Sequence, residues 1–194
     1  RQMCKETGKD FSQQTYDDTK WQSVTVPHDW AIYGPFSIEN DKQKVAITQD
    51  GQKEALEHAG RTGGLPFVGV GWYRLNFEAP AFSSGKKATL IFDGAMSHAR
   101  VYINGQEAGF WPYGYNSFHI DATPYLKAGE QNTLAVRLEN ETESSRWYPG
   151  AGLYRNVHLV INEDAHIPTW GTYATTPVVT DLFLYTSDAA DEGL

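Results

Sequence analysis

The sequence predicts an all-β protein, an antiparallel β-sandwich. Two observations carry that expectation. Short runs with two-residue alternation of apolar and polar side chains recur along the middle of the chain, and turn signals separate them. No such run alternates with a long helical pattern, which disfavours a parallel α/β sheet.

The strands follow in order. Tyr73, Leu75 and Phe77 alternate with Arg74, Asn76 and Glu78, the pattern of a half-buried strand. Leu90 and Phe92 mark the next strand, ended by Asp93-Gly94. Ala99, Val101 and Ile103 alternate with Arg100 and Tyr102 and run into Asn104-Gly105. Both residues of an Asn-Gly pair tolerate positive φ, so a tight hairpin is expected there, with a return strand over Glu107–Trp111. Phe118 and Ile120 indicate a further strand, stopped by the turn from Asp121 to Pro124. Leu134, Val136 and Leu138 alternate with Thr133, Ala135 and Arg137, and Val157, Leu159 and Ile161 close the series. Residues 38–64 break the pattern: they are polar, a short helix is expected from Gln52 to His58, and Gly60, Gly63, Gly64 and Pro66 end the segment. After Ile161 the character changes again. Trp170–Thr175 is expected to start another strand, and 182–194 shows no clear alternation.

Composition bounds the function. Apolar residues make up 40% of 194 and aromatics 13%, enough for a sizeable core in one domain. A net charge of -8 without any basic cluster argues against nucleic acid or an anionic membrane as partner. The apolar runs are only a few residues long, so no membrane-spanning helix is expected. Cys4 is the single cysteine, which excludes an internal disulfide and a cysteine metal site. The chain starts at Arg1 and is expected to be a piece of a longer polypeptide, truncated at its N-terminus.

The chemical inventory is thin. No two of the six histidines are spaced as H-x-H or H-E-x-x-H, so zinc has no local signature, and neither a metal nor a cofactor is expected. Glu139, Glu141 and Glu143 read as a solvated charge run rather than an acid/base pair. No phosphate loop and no G-x-S-x-G elbow is present, and no complete catalytic set can be assembled. Two segments stand out. Pro27-His28-Asp29-Trp30 is a dense turn in which Asp29 is suited to bond backbone amides and Trp30 to pack. Arg146-Trp147-Tyr148, followed by Pro149, Gly150 and Gly152, puts a guanidinium beside two aromatic rings, a set suited to hydroxyl bonding and to stacking on a sugar face. The same residues also fit an interstrand loop with an aromatic plug.

Five segments in order resemble a known family. They are Tyr16-Asp17-Asp18-x-x-Trp21 leading to Val26-Pro27-His28-Asp29-Trp30; Gly71-Trp72-Tyr73-Arg74; Phe92-Asp93-Gly94 with Val101-Tyr102-Ile103-Asn104-Gly105; Gly114-Tyr115-x-x-Phe118-x-x-Asp121; and Arg146 through Val157. Together, from about Tyr16 to about Ile161, they resemble the N-terminal sugar-binding domain of family 2 glycoside hydrolases, the β-galactosidase type. The resemblance implies a jelly-roll sandwich over 1–164, with 165–194 as a linker and the start of an immunoglobulin-like domain. It implies a parent enzyme that hydrolyses β-glycosides with retention, through two glutamates in a later barrel domain. The sandwich would brace that barrel and lend loops to the rim of its pocket, and would be inactive alone. The implied partners are a carbohydrate substrate and the immunoglobulin-like and barrel domains of the same chain. The implied compartment is the bacterial periplasm or exterior.

The residues offered as sugar contacts are Arg146, Trp147 and Tyr148, with His28, Asp29, His58 and Arg61 beside them. The family's asparagine ahead of the Gly-x-Tyr strand is replaced here by the neighbourhood of Val68 and Gly69, and Arg146 stands near the place of an expected aspartate. The galactose-reading pair is therefore not reproduced, and Arg146 is suited to pair a carboxylate. Two other readings stay open: a free-standing carbohydrate-binding module, and a structural or interaction sandwich without sugar contacts.

Overall fold

A computed structural model describes residues 2–4, 11–34, 45–47, 51, 53–54, 56–58, 69–141 and 150–176. By backbone contacts the chain divides into two compact units, Arg1–Asp164 and Ala165–Leu194. The strands among the described residues are β1 (Gln2–Cys4), β2 (Gln22–Ser23), β3 (Val45–Ile47), β4 (Leu56–His58), β5 (Gly69–Glu78), β6 (Lys87–Phe92), β7 (Ala99–Ile103), β8 (Gln106–Trp111), β9 (Phe118–Asp121), β10 (Gln131–Asn140) and β11 (Val157–Asn162). They form a six-stranded sheet in the order β2-β1-β5-β10-β7-β8, a three-stranded sheet β11-β6-β9, and the pair β3-β4. Every pairing is antiparallel. The expected all-β antiparallel sandwich is the fold.

The backbone of the large sheet is the β5–β10 pair, matched residue for residue from Gln131↔Glu78 to Asn140↔Gly69. The Asn-Gly hairpin stands where expected, with φ of 53° at Asn104 and 83° at Gly105. Its two strands slip register between Val101 and Tyr102, a bulge that leaves Ala108 without a partner.

Alternation sorts the side chains onto two faces. Tyr73, Val136, Leu138, Val101 and Ile103 of the large sheet meet Leu90, Phe92, Phe118 and Ile120 of the small one in a single core. Phe92 and Phe118 stack at 4.7 Å between ring centroids, and Trp111 lies against Phe118 at 5.7 Å. The opposite face of the large sheet is covered too. Trp72, Ala135 and Tyr102 pack under Phe11, Tyr16 and Trp21 from the segment between β1 and β2.

That covering segment is fastened by Arg74, which is 1% exposed. Its Nε donates to Asp18 Oδ2 at 3.0 Å, and its Nη1 donates to the carbonyls of Phe11 and Gln13 at 2.5 and 3.0 Å. The guanidinium fork satisfies several acceptors from one short segment, an arrangement that a lysine could not reproduce.

Two expectations need correction. The short helix over Gln52–His58 is not formed: Leu56–His58 is strand β4, paired with β3 from Val45↔His58 to Ile47↔Leu56. Pairing with residues nine to thirteen positions away decides a short segment that its own pattern cannot. Trp170–Thr175 is not a strand either. Trp170 takes φ 58° and Gly171 N–H donates to Pro168 O at 2.8 Å, so the backbone turns where extension was expected. β1 and β2 went unanticipated because runs of three and two residues carry no periodicity.

Replacing Arg74 by methionine keeps the stem and removes every donor. Chemical denaturation should show a loss of about 3–5 kcal/mol, the range for breaking a buried charge pair from one side. Asp18→Asn should cost less, because Arg74 retains its carbonyl partners. Equal, small losses in both variants would show that the guanidinium does not fasten the covering segment.

Candidate functional site

One end of the sandwich gathers the loops that matter. The start of β5 faces the end of β10 through Gly69↔Asn140, and the start of β7 faces the end of β8 through Ala99↔Trp111. The connections after β6, β8 and β10 therefore emerge together with the segment that enters β5. An isolated bridge between Met96 and Gly152 ties two of these connections to each other.

The turn that holds His28 and Asp29 is stitched to the same end. Its backbone runs beside 151–153: His28 N–H donates to Leu153 O at 2.7 Å and Trp30 N–H to Ala151 O at 2.9 Å. Asp29 Oδ1 accepts from Ala31 N–H at 2.8 Å and from Ala151 N–H at 3.0 Å. One carboxylate oxygen thus closes its own turn and fixes the root of the loop that precedes Ala151. Trp30 is fully buried and stacks on Tyr73 at 5.9 Å.

Glycine makes the approach achievable. Gly152 has φ +124°, and a Cβ there would sit 2.5 Å from both His28 O and the Tyr73 hydroxyl. Gly150 is pressed as well, since a Cβ would lie 2.9 Å from Asp29 Oδ2. Tyr73 completes the junction. Its hydroxyl lies 2.8 Å from His28 Nδ1 and 3.3 Å from His28 O. Burial, reinforced by the Asp29 charge, holds the phenol protonated far above its ordinary range, although a backbone hydrogen bond with Leu153 opposes the shift. The His28 ring also stacks with the ring of Tyr33, a residue that is 69% exposed.

Nearby, Ser97 and Glu139 exchange hydrogen bonds: Ser97 Oγ donates to Glu139 O at 2.6 Å, and Glu139 N–H donates to Ser97 O at 2.8 Å. His98, with φ 47°, donates its N–H to Pro112 O at 3.1 Å. At the end of β10 the side-chain amide nitrogen of Asn140 is buried without a hydrogen-bond partner. A buried unsatisfied donor is rare outside functional or strained sites.

The sequence-derived contacts divide sharply. His28 and Asp29 come together at the junction, and both are engaged there in holding backbone. Arg146, Trp147, Tyr148 and Arg61 lie outside the described residues. His58 is described in its backbone alone, as the end of β4. The polar segment 38–64 is described only at β3, β4 and the few residues between them. Sequence reasoning missed Tyr73 as a site residue because alternation marked it as core. It missed Ser97 and His98 because nothing local distinguishes them. Glu139, read as part of a solvated charge run, pairs with Arg137 at 2.8 Å. Among the described residues no group of three metal-ligating side chains converges.

Asp29→Ala should leave two backbone N–H groups without their acceptor and lower stability by about 1–3 kcal/mol in a denaturant titration. Gly152→Ala should cost more, because the residue meets both the left-handed backbone and the His28 carbonyl. If the alanine at 152 is neutral, the close approach does not hold the loop root. Tyr73 gives a pH test. The unfolded chain releases the phenol proton near 10.0 while the folded chain keeps it, so unfolding gains as pH rises above about 10. Tyr73→Phe should make that alkaline loss shallower in melts between pH 8 and 11.

The comparisons agree with this architecture. The family model for "Glycosyl hydrolases family 2, sugar binding domain" matches residues 10–163. The chain is 43% identical over 173 residues to the beta-galactosidase BoGH2A of Bacteroides ovatus, covering 89% of this chain and 18% of that protein. It is 30% identical over 165 residues to a beta-glucuronidase of Formosa agariphila, covering 78% and 15%. Among solved structures, a glycosyl hydrolase family 2 member from Bacteroides cellulosilyticus superposes with a TM-score of 0.72 at 34% identity, covering 92% of this chain and 22% of that one. The chain thus spans about a fifth of the length of these relatives. The family-model match over most of the sandwich, at this level of identity, makes the chain a member of the glycosyl hydrolase family 2 sugar-binding domains.

Proposed function

We propose that this sandwich serves a retaining β-glycosidase, bracing a catalytic barrel carried elsewhere in the polypeptide and lending loops to the rim of its sugar pocket. The observation that supports this most is the junction of His28, Asp29, Tyr73 and Gly152. It fixes the root of the loop whose sequence carries Arg146, Trp147 and Tyr148, at the end where the other connections converge. A precisely rooted loop on a rigid scaffold is how binding residues are commonly presented. In this reading Arg146 donates to sugar oxygens and Trp147 and Tyr148 stack on or border the ring. His28 and Asp29 act through the loop, as positioning residues.

The relatives' activities support a β-glycoside as substrate class, since they include a beta-galactosidase and a beta-glucuronidase. Arg146 favours a substrate with a carboxylate, because a guanidinium binds one with two parallel charge-assisted bonds. The reaction's acid/base and nucleophile are assigned to the barrel, with an immunoglobulin-like domain between. The isolated chain is then inactive on its own.

In the full-length enzyme Arg146→Ala should lower kcat/KM by on the order of 10- to 100-fold, as expected for one charge-assisted hydrogen bond, with an unchanged melting temperature. The loss should be larger on a p-nitrophenyl β-glucuronide than on the β-galactoside. Unchanged kinetics on both substrates would remove Arg146 from the pocket. Turnover by the purified 194-residue chain that vanished on mutating one of its own carboxylates would overturn the division of labour.

A further inference from the structure

We infer that Tyr113 and Tyr115, on the connection between β8 and β9, form a saccharide-binding platform that takes a pyranose unit of an oligosaccharide. The inference rests on the sugar-binding reading given above and adds to it two residues that are not among the proposed contacts.

The two rings are exposed, 54% at Tyr113 and 40% at Tyr115. Their centroids lie 5.5 Å apart with planes tilted by 55°, which makes a notch rather than a flat face. An exposed aromatic on a loose loop would carry little information, but this connection is held along its length. Gly114, between the two tyrosines, is buried, and its carbonyl accepts from the Tyr154 hydroxyl at 2.6 Å. A Cβ on Gly114 would run into the Met96 sulfur, so the backbone is pressed against that side chain. Met96 is in turn joined to Gly152 by two backbone hydrogen bonds of 3.0 Å. Pro112 O accepts from His98 N–H at 3.1 Å, Trp111 Nε1 donates to Asn116 Oδ1 at 2.9 Å, and Ser117 Oγ donates to Asp93 O at 3.0 Å.

Tyr154 is itself held against Gly94, where a Cβ would lie 2.6 Å from its ring, and Arg155 sits 5.5 Å over that ring. Burial raises the Tyr154 pKa, so its hydroxyl remains a donor to the loop carbonyl.

Size and chemistry select the ligand. A whole aromatic side chain buries roughly 150–250 Å², so two half-exposed rings offer on the order of 200 Å². That is well under the ~1,000 Å² a stable protein interface needs, and it suits one small ring. Tyrosine presents an apolar face and a hydroxyl at its edge, which matches a pyranose with its C–H face and flanking hydroxyls. Because the backbone that carries the rings is held before binding, little backbone entropy is lost when the sugar arrives.

Titration of the ¹⁵N-labelled chain with cellotetraose and with β-1,4-galactotetraose tests this. At least one tetraose should shift the amides of Tyr113–Asn116. Tyr113→Leu/Tyr115→Leu should weaken its binding tenfold or more, Tyr113→Phe/Tyr115→Phe should hold it within about twofold, and Tyr113→Leu alone should fall between. Absence of shifts in this segment with both sugars overturns the inference, as does unchanged affinity in the leucine variants. Arg146→Ala separates the two readings. If it abolishes tetraose binding while the leucine pair does not, the tyrosine platform is refuted and the rim reading stands. If the tyrosines are protected from solvent in the full-length enzyme and the tetraose no longer shifts them, the surface is a contact between domains and the inference fails.

Discussion

The end of the sandwich where the connections gather depends on one close approach of two backbones, His28–Trp30 against Ala151–Leu153. The separation is set by what is missing: a Cβ at Gly152 would collide with His28 O and the Tyr73 hydroxyl. Once the two backbones are that close, several of their polar groups pair across the gap. Two N–H groups from the turn meet carbonyls of the loop root, and Asp29 Oδ1 serves both sides. Such a junction is costly to open partway, since a buried donor without an acceptor loses about 1–3 kcal/mol. The turn and the loop root therefore move as one piece with β5, which supplies Tyr73.

The other face of the large sheet solves a related problem by different means. Trp72 and Tyr102 would leave an apolar face in water. The segment around Phe11, Tyr16 and Trp21 covers it with aromatic rings at centroid distances of 4.9–5.7 Å. Area alone would hold this cover loosely, because a segment without strand pairing has many ways to lie on a flat surface. Arg74 removes that freedom by binding two carbonyls and Asp18 at once. Successive residues of β5 thus fasten both sides of the sheet: Trp72 and Arg74 the cover, Gly71 and Tyr73 the turn that bears His28. Gly71 admits the Trp30 ring so closely that a Cβ would overlap it.

This division explains what was legible. β5 to β11 could be read because alternation records which side of a sheet is buried, and burial is what the sandwich demands of those residues. The Asn104-Gly105 hairpin was equally readable, because its backbone angles admit few residues. Asp29 could be read as an acceptor for nearby amides, but its second partner, Ala151, lies 122 residues away and leaves no mark in the local pattern. Arg74 looked like an outward polar residue of a half-buried strand. The cover that buries it comes from a segment without periodicity, so neither partner announced the other. β4 failed for the same reason, since its conformation is set by pairing with β3 rather than by its own residues.

Rigid scaffolding and local cost sit together at this loop-bearing end. Away from it, Asn132 has both ends of its amide engaged: Oδ1 accepts from Asn104 Nδ2 and the Lys127 N–H, and Nδ2 donates to the carbonyls of Lys127 and Glu130. At the loop-bearing end His98 holds a positive φ and Asn140 buries an unpaired amide nitrogen. Each is a local cost, since a non-glycine residue at positive φ and a buried donor without an acceptor both raise the energy of the folded state. The rest of the fold offsets such costs, with the β5–β10 ladder matched residue for residue and Arg74 bonded to the covering segment. Both residues lie where connections leave the sandwich, Asn140 at the end of β10 and His98 just before β7, so these local costs fall beside the loops that the proposed sugar-presenting role would use.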